Sequence, residues 1–242
     1  VHDQLGPGGG AGGEIQQQGV ARKGYTVWRK HAIGLVAVRV VLPSDHRTAN
    51  HDTGEITAQA DELGRLHLAC DDMPHVTAVD VSANRLRRVA ENLKRTGLTA
   101  ELVAADGATW RPTVPADAVL LDAPCSATGT LRRHPDIAWL KSENDVARLA
   151  MVQAKLLESA IDMTKPGGLV VYAVCSLQPQ ESLERVAAVL SAGTVERVPL
   201  TSADISVPEA ITAEGDLRTL PSMWSDRSGM DGFYAARLRR LP

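Results

Sequence analysis

Val76-Thr77-Ala78-Val79-Asp80-Val81-Ser82-Ala83-Asn84-Arg85-Leu86-Arg87-Arg88-Val89-Ala90-Glu91-Asn92-Leu93-Lys94-Arg95-Thr96-Gly97 reads as one strand, one turn and one helix. The first residues form a short β-rich run that stops on an acid, Asp80. Ser82 can then accept a hydrogen bond from the free N–H groups that open a helix. Leu86, Val89, Ala90 and Leu93 recur on one face of a helix predicted over 83–96, and Gly97 offers the left-handed stop.

The same alternation continues downstream. Strands are predicted over 100–105, ending at Asp106, over 118–121, ending at Asp122, and over 169–174, ending at Cys175. Ser142 caps a long helix reaching about Met163, with Val146, Leu149, Val152, Leu156 and Ile161 as its apolar residues, and Lys165-Pro166-Gly167-Gly168 turns the chain back. A helix is expected from Pro179 to about Leu190, and the last strands over 194–200 and 233–238. Strands alternating with helices imply an α/β fold with a doubly wound, mostly parallel sheet. Such sheets bind ligands at the carboxyl ends of their strands, where Asp80, Asp106, Asp122 and Cys175 all fall.

Upstream of Val76 the text changes. Residues 1–75 hold six of the seven histidines and a glycine cluster over 6–13, and only 34–42 looks like a strand. This part is expected to be an atypical, partly flexible segment that could contribute one strand, and 76–242 a separate, regular α/β domain. The whole chain of 242 residues has ordinary globular composition, with 44% apolar and 23% charged residues. A formal net charge of −3 excludes a strong global field drawing it to nucleic acid, so any such ligand would have to be held by local basic patches or by a further domain. Cys70, Cys125 and Cys175 are too few and too scattered for a disulfide framework or a zinc site, so no metal is expected. No apolar run reaches the ~18 residues of a membrane span, and no secretory pattern opens the chain. A cytoplasmic location is the expectation.

Two segments carry a resemblance. Leu121-Asp122-Ala123-Pro124-Cys125-Ser126-Ala127-Thr128-Gly129-Thr130, followed by Arg132-Arg133-His134-Pro135-Asp136, resembles the proline-cysteine motif of the Sun (Fmu) family of ribosomal-RNA cytosine-5 methyltransferases. Val171-Tyr172-Ala173-Val174-Cys175-Ser176-Leu177, with Pro179 and Glu181 after it, resembles that family's second cysteine motif, and Gly229-Met230-Asp231-Gly232-Phe233-Tyr234-Ala235-Ala236 its last strand. The resemblance implies a Rossmann-like class I methyltransferase with an antiparallel last strand, S-adenosyl-L-methionine as cofactor, and RNA, ribosomal RNA foremost, as substrate. It departs at one place. The family's glycine-rich cofactor loop, which lets the backbone approach the methionine end, has no counterpart in 54–65, which lacks both paired glycines and the lysine.

The resemblance also assigns roles. Cys175 is the attacking thiol and Cys125 assists product release, a form of covalent catalysis that divides one hard step into easier ones. Asp122 would contact the base or the cofactor amine, Asp80 the ribose hydroxyls and Asp106 the adenine amine. Arg85 would line the pocket or lie on a solvated face. Arg132, Arg133 and His134 would grip phosphates beside the target base or form an exposed basic turn. Other readings stay open: a catalytically silent relative that binds RNA or a partner, a DNA-type enzyme in which Cys125 attacks, and a small-molecule methyltransferase.

Overall fold

The computed structural model describes residues 76–242 except Ser206, together with the backbone of three upstream strands, β1 (Leu35–Arg39), β2 (Ala58–Ala60) and β3 (Leu66–Leu68). After β4 (Val76–Asp80) comes α1 (Ala83–Thr96). Its first turn is capped by Ser82 Oγ, which accepts from the Arg85 N–H, and Gly97 closes it at φ +69° with its N–H on the last carbonyls. β5 (Glu101–Ala104) and β6 (Ala116–Asp122) follow, then the short α2 (Ile137–Leu140) and the long α3 (Glu143–Met163). Ser142 and Asp145 form a reciprocal capping box at the start of α3. β7 (Thr164–Val174), α4 (Leu183–Ser191), β8 (Val195–Arg197), β9 (Leu217–Thr219) and β10 (Phe233–Arg240) complete the chain.

One sheet runs in the order β5-β4-β1-β6-β7-β10-β8, with β9 beside β10, while β2 and β3 form a separate two-stranded ribbon. β4 pairs with β5, and β6 with β7, in parallel. β1 is antiparallel to both its neighbours, and β10 to β7, β8 and β9. Along the main path, therefore, β5, β4, β6, β7 and β8 point one way and only β1 and β10 the other. The mostly parallel sheet and the antiparallel last strand are as expected. The core lies between the sheet and α3 and is built from Val119, Leu121, Leu157, Met163, Val170 and Leu238, with Tyr172 and Tyr234 as its largest members. With one Phe in the chain, these tyrosines supply the aromatic volume. Among the described residues no helix is long and apolar enough to cross a membrane.

Several local expectations change: Lys165-Pro166-Gly167-Gly168, read as a turn, lies within β7, and Ala90, read on the apolar face of α1, is exposed. Val152, read as an inward residue of α3, is exposed, and Gln153 is fully buried in its place. The polar side chain is admitted because it finds partners inside: its Nε2 donates to the Pro124 carbonyl and to Glu181. The helix expected from Pro179 to about Leu190 is divided. A single 3-10 turn, Pro179–Glu181, precedes α4, and Ser182 breaks the path at φ −126°, ψ −94°. That break comes directly after Glu181, whose side chain is completely buried.

Candidate active site

β6 and β7 lie side by side in parallel, with Asp122 opposite Ala173, so the segments that leave them travel together. The Ala123 N–H donates to the Ala173 carbonyl at 2.9 Å, and the Gly129 N–H to the Cys175 carbonyl at 3.0 Å. This brings Cys125 and Cys175, fifty positions apart, to a sulfur–sulfur distance of 3.5 Å. Cys125 is buried and Cys175 half-buried. The loop before β10 closes over the same place: the Gly232 N–H donates to the Gly129 carbonyl, and a Cβ on Gly129 would stand 2.0 Å from the Gly232 oxygen. Only glycine permits that approach.

The two thiols are not equivalent. The hydrogen bond to Cys175, then burial, then the charge of a Cys175 thiolate push the Cys125 thiol well above its ordinary range, and the Glu181 carboxylate adds to the rise; only the Ala127 backbone opposes it. Cys125 is therefore the harder of the two to ionise, and either sulfur can be the donor in their contact.

Behind the sulfurs is a buried polar cluster. Glu181 accepts from the Ser126 N–H at 2.9 Å, the Ser126 hydroxyl at 2.5 Å, the Ser176 hydroxyl at 2.5 Å and the Gln153 amide at 3.1 Å. Thr128 joins it, accepting from the Leu177 N–H at 3.0 Å and lying 3.2 Å from the Ser176 hydroxyl. Tyr172 donates its hydroxyl to the Glu181 carbonyl at 2.6 Å. A carboxylate with four donors is well compensated for its burial.

The three acids stand along one rim, at or just beyond the carboxyl ends of β4, β5 and β6. Asp80 is buried; its carboxylate takes both Nε and Nη2 of Arg85, at 2.8 and 2.6 Å, and the Ser82 N–H at 2.6 Å. Arg85 is thus an ion-pair partner rather than a solvated residue. Asp106 is exposed and accepts from the Ala108 N–H at 2.9 Å. Asp122 is half-buried, with no hydrogen bond or ion pair from the described residues, and desolvation raises its pKa to about 7. The basic turn has a partner of its own: Arg132 and Arg133 both pair with Asp231, Arg133 through two nitrogens, so one of their two charges is matched by that carboxylate. Among the described residues no group of His, Cys, Asp and Glu could hold a metal ion.

The bridging part played by Glu181, Gln153, Ser126 and Ser176, and the pairing by Asp231, emerge only in the fold. A signal for the first was present. Each cysteine is followed by serine, in the same order, just beyond the ends of two neighbouring strands.

The profile of the 16S rRNA methyltransferase RsmB/F family matches residues 65–239. The chain belongs to that family. The ribosomal RNA small subunit methyltransferase B of Serratia proteamaculans is 50% identical over 119 residues, 48% of this chain and 28% of the relative. That of Vibrio cholerae is 38% identical over 202 residues, 76% of this chain and 44% of the relative. The chain thus spans less than half the length of these curated relatives. Among solved structures, a methyltransferase homolog protein from Pyrococcus horikoshii superposes with a TM-score of 0.52 at 31% identity, covering 68% of this chain and 53% of that one. NSun6 from Pyrococcus horikoshii with SFG gives 0.56 at 25% identity, covering 69% and 41%. The methyl donor of the family is S-adenosyl-L-methionine.

The described residues fit the adenosine half of that donor. Acceptors stand at the ends of adjacent parallel strands: Asp80, oriented by Arg85 and the Ser82 N–H, and Asp106 beyond β5. Of residues 54–65, compared above with the glycine-rich loop, only Ala58–Ala60 are described, and they lie in β2. The glycine cluster at 6–13 and Cys70 lie outside the described residues. β1 fills the place between β4 and β6 but runs backwards. Leu35 faces Asp122 across the ladder, while Arg39 stands opposite Val76 and Ala118. The carboxyl end of β1 is therefore at the edge of the sheet away from the acids.

Proposed function

We propose that this chain is the catalytic part of an RNA cytosine-5 methyltransferase acting on ribosomal RNA, with Cys175 as nucleophile and Cys125 as the group that assists release. The observation that carries the reading is the pair of sulfurs 3.5 Å apart, on the loops that leave the parallel strands β6 and β7 at the end where β6 carries Asp122. S-adenosylmethionine, when bound, supplies an electrophilic methyl group; Asp80 and Asp106 would hold its ribose hydroxyls and adenine amine, and Asp122 its amine or the target base.

The remaining chemistry belongs to the chain. The Cys175 thiolate adds to carbon 6 of a cytosine turned out of its stack, and the ring electrons move to carbon 5, making it nucleophilic. A thiolate next to a neutral thiol keeps its charge more easily than one next to a second thiolate, so the protonated Cys125 favours Cys175 as attacker. Asp122, near neutrality in pKa, can donate to or accept from the ring. Once carbon 5 is methylated, its proton must leave so that the ring double bond re-forms and the Cys175 thiolate is expelled. At that stage Cys175 is a thioether, so its hydrogen bond and its negative charge no longer hold the Cys125 proton, and burial is the main cause that remains. Cys125 then loses its proton to solvent more readily and can take the one from carbon 5.

Replacement of the two cysteines tests the reading. Cys175→Ala should abolish methyl transfer to ribosomal RNA. Cys125→Ala should accumulate a protein–RNA band that survives denaturant. Methylation that persists in Cys175→Ala would remove the nucleophile assignment and favour a mechanism with Cys125 attacking.

The direction of β1 favours a second reading, a silent relative that binds RNA or a partner without turnover. The chain leaves β1 at the edge away from Asp80 and Asp122, whereas a cofactor loop would have to begin beside them. Titration calorimetry with S-adenosylmethionine separates the two: measurable heat with one site supports the enzyme, and none at high ligand concentration supports the silent form.

A further inference from the structure

The two active-site loops are joined by one buried side chain, five residues beyond Ser176. Glu181 sits in the turn after β7, is fully buried, and takes the hydroxyl of Ser126 with one oxygen and the hydroxyl of Ser176 with the same one, both at 2.5 Å. Its other oxygen holds the Ser126 N–H and the Gln153 amide. Ser126 and Ser176 are the residues directly after Cys125 and Cys175. Their hydroxyls also lie 3.2 Å from each other.

We infer that Glu181 is a positioning residue that sets the spacing of the two sulfurs, by holding the serine behind each cysteine on a single carboxylate. The geometry explains the symmetry of the two Cys-Ser pairs. Each serine is one residue from a sulfur, so a common anchor leaves the sulfurs little freedom to separate. Gln153 ties the anchor to α3 through the Pro124 carbonyl, which precedes Cys125. The anchor is therefore referenced to the rigid helix as well as to both loops. Glu181 touches neither substrate nor cofactor in this account; it acts through the sulfurs. The catalytic meaning of the spacing rests on the mechanism proposed above, but the spacing itself does not.

The test reads the spacing without turnover. The full chain carrying Cys70→Ser is treated with diamide. The thiols of Cys125 and Cys175 together give up two protons and two electrons, an S–S bond forms, and the azo bond of diamide is reduced to the hydrazine. The rate is followed by free-thiol counting and peptide mass. The parent should form the Cys125–Cys175 link. Glu181→Gln, similar in shape but unable to accept from every donor, should slow it on the order of tenfold or more, since displacements near 1 Å cost up to about a hundredfold in such reactions. Ser126→Ala combined with Ser176→Ala keeps the carboxylate but removes both arms, and should slow it likewise.

Circular dichroism establishes that each variant is folded; where one is not, the other decides. A purely structural role would lower the melting temperature and leave the linking rate of the folded protein unchanged. Linking at the parental rate in the folded variants, or no link in the parent, overturns the inference. Methylation surviving in Cys175→Ala would defeat the catalytic reading without touching the linking result, so the two failures are distinguishable.

Discussion

Asp80, Asp106 and Asp122 share a rim but not an environment. Asp80 accepts three hydrogen bonds from Arg85 and the Ser82 N–H, and Asp106 holds the Ala108 N–H, while burial leaves Asp122 at about 7. Its unfolded-state value is near the ordinary ~3.9. Below about pH 4 the group is neutral in both states and costs nothing. As pH rises towards 7 and beyond, the unfolded chain gains a solvated charge that the folded chain accepts less readily, so stability falls. The ceiling on that loss is about 4 kcal/mol, reduced by partial exposure. Asp122→Asn should therefore raise stability at pH 8 by about 1–3 kcal/mol and at pH 4 hardly at all, while reducing methyl transfer. Urea denaturation at both pH values measures this; an equal gain at each would show that the charge is not the cause. The acid itself was legible in the sequence, as the last residue of a β-rich run. Its proton affinity was not, because desolvation depends on neighbours brought in by the fold. Glu181 was hidden for the same reason, since its serines are 55 and 5 positions away and meet only when β6 and β7 pair.

Helix α1 was legible almost to the residue, because its signals are local: Ser82 at one end, Gly97 at the other and four apolar residues between them. The division of the segment after Pro179 was not, because it follows from burying Glu181 rather than from any helix-breaking residue. Two glycines separate local from long-range constraint. Gly97 lies at φ +69° with no atom near a hypothetical Cβ, so Gly97→Ala should cost about 1 kcal/mol, from backbone strain alone. A Cβ on Gly129 would meet the Gly232 carbonyl oxygen at 2.0 Å and the Cys175 carbonyl oxygen at 2.9 Å. Neither neighbour is a flexible side chain that can swing away. Gly129→Ala should cost on the order of 3 kcal/mol or more and lower activity in the protein that remains folded, since the displaced backbone carries Cys175. Denaturant midpoints compare the two; a larger loss at Gly97 would mean that the loops before β10 yield easily.

Across the whole molecule, the alternation of strands and helices made the layered α/β fold legible, because each strand end and each cap signals itself. The direction of β1 was not: a run such as Leu35–Arg39 has the same pattern read either way, and only its ladder with β4 and β6 assigns it. Charge behaves similarly. A net charge of −3 is visible in composition, but which cations are free is decided by folding, and the basic turn beside the active loops is taken up by Asp231. Each phosphate neutralised on a single strand contributes about −0.7 to the slope of log affinity against log salt. With Arg85, Arg132 and Arg133 engaged by acids at or near the rim, this chain alone should neutralise few phosphates. Its binding to a labelled single-stranded RNA, followed by fluorescence anisotropy from about 50 to 300 mM KCl, should have a slope shallower than about −3 and an affinity in the non-specific range of ~10⁻⁴ to 10⁻⁶ M. A slope steeper than about −4 would require the Asp231 pairs to open and hand their arginines to RNA. Asp231→Asn distinguishes the cases: if the pairs stay closed in the parent, freeing Arg132 and Arg133 should strengthen binding at low salt and steepen the slope by about one unit or more.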